Sequence, residues 1–116
     1  MSATAIDYIE LDSENLGASR TFFTTAFGWR FTDYGPDYAG IEDAKLDGGI
    51  SQAEGARKLP LVILYTSDLD AAEAAVRAAG GEIVREQFDF PGGRRFHFRE
   101  PGGNELAVWS ERRPGA

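Results

Sequence analysis

The chain repeats itself once. Tyr8 and Leu61, Asn15 and Asp68, Leu16 and Leu69, Phe23 and Val76, and Gly28 and Gly81 each stand 53 positions apart. The paired positions serve the same purposes in both halves. They are a strand residue, a short polar side chain suited to capping a helix, two apolar residues of one helical stripe, and a glycine stop. One offset shared by strand, cap, stripe and stop argues for a duplicated βαβββ unit.

In the first copy, residues 6–11 alternate as a strand does, and Ser13 to Asn15 offers N-cap chemistry. Residues 16–27 read as a helix with its stripe at Leu16, Phe23, Ala26 and Phe27, ended by Gly28. A strand starts at Trp29-Arg30-Phe31 and another covers residues 39–44. Turns are expected at residues 34–38 and at Asp47-Gly48-Gly49, with a fourth strand beginning near Ile50. Residues 52–58 are small and polar, as in a linker. In the second copy, residues 61–65 form a continuous apolar strand and Ser67-Asp68 a cap, with Asp68 and Asp70 at the positive end of the helix dipole. Residues 69–79 are the helix, with its stripe at Leu69, Ala72, Val76 and Ala79. Gly80-Gly81 stops it, and a strand follows over residues 82–88, with its end expected near Phe90. The domain expectation is one domain over 1–116, with module 1 at about 5–51, a linker at about 52–58 and module 2 at about 59–111. The tail after Glu111 is expected to fray.

Pro91-Gly92-Gly93 and Pro101-Gly102-Gly103-Asn104 are turn signals that set off two more strands, at residues 95–99 and 105–109. Arg95, His97 and Arg99 alternate with Phe96 and Phe98; Glu105, Ala107 and Trp109 alternate with Leu106 and Val108. Each strand therefore has an oily face for a helix and a mixed face, and the mixed face carries the chain's single histidine.

Cysteine is absent, which removes disulfides, thiolate metal sites and a cysteine nucleophile. A net charge of −7 argues against nucleic acid and against anionic membrane as partners. No apolar run is long enough to span a bilayer and no signal pattern opens the chain, so a cytoplasmic protein is expected. No GxGxxG, Walker or GxSxG pattern is present.

Several segments resemble the vicinal oxygen chelate superfamily, which holds glyoxalase I, bleomycin-resistance proteins and extradiol dioxygenases. They are Tyr8-Ile9-Glu10-Leu11 with Asn15-Leu16, Phe22-Phe23, Phe27-Gly28-Trp29, Ser67-Asp68-Leu69, Gly80-Gly81, and Phe96-His97-Phe98 through Glu100-Pro101-Gly102-Gly103-Asn104-Glu105-Leu106. The resemblance implies an α+β fold in which two βαβββ modules form a curved eight-stranded mixed sheet around a concave cavity, in a homodimer. It also implies metal-ligand positions at Tyr8, Leu61 and Ala107. A neutral phenol and two aliphatic side chains are poor ligands, so no metal and no cofactor are expected at those positions.

The same alignment turns Tyr8, Glu10, Ile63, Tyr65, His97, Glu105 and Trp109 toward the ligand. His97 is the candidate general acid or base, because its ordinary pKa lies near neutrality. Glu10 and Glu105 would pair with it or hold a cation. Tyr8, Tyr65 and Trp109 would give aromatic walls with polar edges. The plainer alternatives are a hydrogen-bonded histidine on a half-buried sheet, rim carboxylates and ordinary aromatic packing. Arg94 and Arg95, beside a turn, are either solvated or an anion clamp. Three functions follow. The first is a metal-free protein that binds a small organic molecule, partly aromatic or cationic. The second is a glyoxalase- or dioxygenase-like lyase or isomerase that uses His97 with Glu10 or Glu105. The third is an interaction module with a vestigial cavity.

Overall fold

A computed structural model describes residues 4–55 and 60–111. Its elements run β1 (Ala5–Ser13), α1 (Leu16–Phe27), β2 (Arg30–Asp33), β3 (Tyr38–Glu42), β4 (Asp47–Gln52), β5 (Leu61–Tyr65), α2 (Leu69–Ala78), β6 (Glu82–Phe90), β7 (Gly93–Arg99) and β8 (Glu105–Glu111). This is the expected α+β class: two βαβββ modules with eight strands of mixed direction. The chain falls into two compact units, one of residues 8–61 and one of residues 4–7 with 62–111. The last three residues of the expected linker, 56–58, and the tail, residues 112–116, lie outside the described residues, and Gln52, expected to open the linker, closes β4.

The two units share one internal plan. In the first the strand order is β2-β3-β4-β1, with β1 parallel to β4. In the second it is β6-β7-β8-β5, with β5 parallel to β8. The remaining pairs, β2 with β3, β3 with β4, β6 with β7 and β7 with β8, are antiparallel. Both helices begin where the repeat places them. Asn15 Oδ1 accepts from the Ala18 N–H and Asp68 Oδ1 from the Ala71 N–H, each 3.0 Å away, which satisfies an N–H that the helix itself leaves free.

Each helix covers the oily face of its own strands. In the first unit Leu16, Ala39, Ile41 and Ile50 are the buried centre, with Phe23, Trp29 and Phe31 packed on it. Trp29 stacks on Phe23 at 4.7 Å, so it belongs to this core. In the second unit Leu69, Phe96, Phe98 and Val108 are the centre, joined by Leu64, Ala72, Val76 and Leu106.

Three further expectations need correction. Asp47-Gly48-Gly49 is not a turn but the first half of β4, which therefore starts three residues before Ile50. Phe27, expected on the inward stripe of α1, is 62 % exposed, because the helix ends there and its ring leans back on Phe22, Phe23 and Trp29. The glycine stop breaks the repeat: Gly28 is left-handed at the end of α1, whereas in the second unit the left-handed residue is Gly80, one place before the matching Gly81. β6 ends at Phe90, as expected, but carries irregularities that a strict alternation does not foresee.

Candidate functional site

In the second unit, the sheet face away from α2 gathers most of the expected site. Register sets its membership: Ile63 lies beside Ala107, Tyr65 beside Trp109, Arg95 beside Trp109 and His97 beside Ala107. His97 is 3 % exposed, and its Nδ1 lies 3.0 Å from Glu105 Oε2. A carboxylate only accepts, so Nδ1 carries the hydrogen and Nε2 holds the lone pair of the neutral ring. Nε2 is buried and meets no hydrogen-bond partner among the described residues. Burial pushes the pKa of His97 below its ordinary 6.5. The bond to Glu105 opposes the shift, and the positive charges of Arg95 and Arg85 add to it.

Arg85 and Phe88 reach this face through the irregular part of β6. Arg85 pairs with His97 and Phe88 with Arg95, with register shifts on either side of Arg85. A shift of that kind turns two residues of odd spacing to one face. The Arg85 guanidinium stands 3.7 Å from the Phe88 ring centroid and that of Arg95 5.3 Å from it. The Phe88 ring lies 5.8 Å from the imidazole. Arg94 takes no part. It bonds Gln87 and Asp89, so the two neighbouring arginines have separate fates. At the other end of the face Trp109 contacts Tyr65 and Phe90 edge-on. Its indole N–H donates to Asp7, and the Tyr65 hydroxyl donates to Glu111. That bond to Glu111 raises the Tyr65 pKa and lowers the Glu111 pKa.

In the first unit, Tyr8 and Glu10 meet a residue that the sequence reading placed in a turn. The Tyr8 and Tyr38 hydroxyls bond at 2.5 Å, and Tyr38 donates to Glu10 Oε2 at 3.3 Å. Burial raises the pKa of both phenols, so they stay neutral donors. Tyr38 lies across β4 because Gly49 has no side chain; a Cβ there would stand 1.9 Å from its hydroxyl oxygen. Gly40, paired with Gly49, clears the same space under Tyr34.

A groove of about 270 Å³ lies on the α2 side of the second unit, lined by residues such as Leu64, Val76, Phe98 and Val108. Its one carboxylate, Glu100, is already held by the backbone N–H groups of Gly102 and Asn104 and by the Asn104 side chain. Those bonds, with Gly102 first, lower the pKa of Glu100 and explain the Pro-Gly-Gly-Asn turn as a structural motif. The groove is apolar; the convergent polar groups are on the His97 face.

The family model of the Glyoxalase/Bleomycin resistance protein/Dioxygenase superfamily matches residues 5–108. The chain belongs to this superfamily. An uncharacterized protein of Mycolicibacterium smegmatis is 30% identical, over 95% of this chain and 97% of its own length. The anthracycline biosynthesis protein DnrV of Streptomyces peucetius is 29% identical over 88% of this chain, which matches only 45% of DnrV. The chain thus spans about half the length of that relative. The Mn(II)-bound glyoxalase of Novosphingobium aromaticivorans shares the fold at a TM-score of 0.68, with 22% identity, over 100% of this chain and 44% of that one.

The metal positions implied by superfamily membership do not fit a metal here. Tyr8 is a neutral phenol engaged with Tyr38, and Leu61 and Ala107 are 1 % and 0 % exposed aliphatics. Among the described residues no three His, Asp or Glu side chains are grouped to hold an ion.

Proposed function

We propose that this protein binds a small organic molecule without a metal, as a binding protein of the glyoxalase/bleomycin-resistance type, over the His97 face of its second module. One observation carries the reading: a buried imidazole nitrogen with no partner among the described residues, on a face that also holds Trp109, Tyr65, Phe88 and two guanidinium groups. A buried polar atom is costly to leave unbonded, and a ligand donor would satisfy it. The aromatic side chains supply area, and the charged ones orientation. The arginines favour an anionic or polar aromatic ligand, which keeps the aromatic alternative of the expected ligand and revises the cationic one.

The 3.0 Å His97–Glu105 pair also favours a second reading. A carboxylate that fixes the tautomer leaves Nε2 able to take a proton from a bound molecule, as in a lyase or isomerase. Its carboxylate partner is Glu105, while Glu10 is bonded by Tyr38.

A thermal-shift screen of chemically diverse small molecules tests the binding reading, because a ligand of the native state raises the melting temperature. The strongest hit is then titrated against variants. Trp109→Ala is expected to weaken binding by roughly 1–3 kcal/mol, the scale of burying a large side chain. His97→Ala is expected to cost about 0.5–1.5 kcal/mol, the scale of one neutral hydrogen bond. Unchanged affinity in both variants would remove this face from the function.

A further inference from the structure

We propose that the His97 face takes an aromatic hydroxy acid, whose hydroxyl donates to His97 Nε2 and whose carboxylate sits with the Arg85 and Arg95 guanidinium groups. This inference rests on the binding reading above and names the chemistry of its ligand.

The tautomer dictates the first half. Glu105 accepts from Nδ1, so Nε2, which has no partner among the described residues, is an acceptor and calls for a donor. A carboxylate alone cannot supply one, and neither can an ether or a halide. A hydroxyl can. The arginines dictate the second half. Two guanidinium groups share one phenyl ring beside the imidazole, at 3.7 Å and 5.3 Å from the Phe88 centroid. Stacking leaves the in-plane N–H groups of a guanidinium directed at the rim of the ring, where a planar carboxylate is the matching partner. The ring of the ligand then has aromatic neighbours on both sides of Arg95, in Phe88 and Phe90.

Access is local. Nε2 is covered, and the Phe88 ring lies against the imidazole with Arg85 on top of it. Arg85 is exposed and both it and Phe88 sit where β6 loses its regular pairing, so binding would require these two side chains to turn away from the imidazole.

The chain's single histidine makes the test direct, since one imidazole gives one set of ring-nitrogen resonances. Meta- and para-hydroxybenzoate, benzoate, phenol and benzylammonium are titrated into the isotope-labelled protein while the ring nitrogens and the melting temperature are followed. At least one hydroxybenzoate is expected to move the Nε2 resonance to that of a hydrogen-bonded acceptor, with Nδ1 still protonated. Benzoate is expected to bind more weakly and leave Nε2 in place. Arg85→Gln, an exposed change, is expected to keep the wild-type melting temperature and weaken the hydroxybenzoate about tenfold, the scale of a charge-assisted bond. An Nε2 resonance unmoved by both hydroxybenzoates overturns the inference, as does stronger binding of benzylammonium. Neither result touches the broader binding reading, which the diverse thermal screen decides independently.

Discussion

His97 is buried and neutral, and this gives its contribution to stability a definite course with pH. Its folded pKa lies below the ordinary 6.5, first because of burial. Between those two values the unfolded chain binds the proton and the folded one does not. Stability from this group is therefore complete above about pH 6.5 and falls as the pH drops toward the folded pKa. The loss approaches about 1.4 kcal/mol per pH unit inside that window. Asn at this position keeps a donor near Glu105 and does not titrate. Denaturant melts of His97→Asn at stepped pH are expected to lack this component; a slope equal to that of wild type would contradict the assignment. Glu100 and Glu111, whose pKa values are lowered, lose their stabilising bonds only below about pH 4.5, so on acidification the His97 loss begins first. At this scale the alternation of β7 and β8 made His97, Arg95, Glu105 and Trp109 legible as one face. Arg85 and Phe88 were not legible, because the register shift between them puts both on the face that a period of two divides.

At the scale of elements, the misread stretch was Asp47-Gly48-Gly49. Two glycines after an aspartate are a turn signal by local chemistry. Here tertiary packing decides instead: β4 carries glycine so that Tyr38 can cross it to Tyr8 and Glu10. Only a contact from a neighbouring strand could have revealed this, and sequence pattern does not carry such contacts. Gly49→Ala is expected to displace Tyr38, because its hydroxyl oxygen would stand 1.9 Å from the new Cβ. The cost is on the order of 1–3 kcal/mol, as for overpacking. Spectrophotometric titration of the tyrosines reads the same event, since a released Tyr38 loses the burial that raises its pKa and ionises at lower pH than in wild type. An unchanged tyrosine titration would show that the phenol is not held there. The helices, by contrast, were legible to their first residues, because caps and stripes are local signals.

For the whole molecule, the 53-residue offset carried most of the fold. Two modules that each bury one sheet face on one helix explain why the offset sufficed for a duplicated βαβββ unit, while their joining into one curved sheet was expected only from the family resemblance. They say nothing of what covers Phe22 and Phe27, which are 57 % and 62 % exposed on α1. We propose a homodimer, in keeping with apolar side chains and strand edges that need cover. Sedimentation at micromolar concentration is expected to give twice the chain mass, and a monomer there would count against it. The central claim is that ligand binding needs no metal. The most direct measurement is metal content by elemental analysis of purified protein, before and after chelator, with the thermal-screen hit titrated into both samples. The account predicts metal far below one ion per chain and the same ligand affinity in both. About one ion per chain, whose removal abolishes binding, would contradict it.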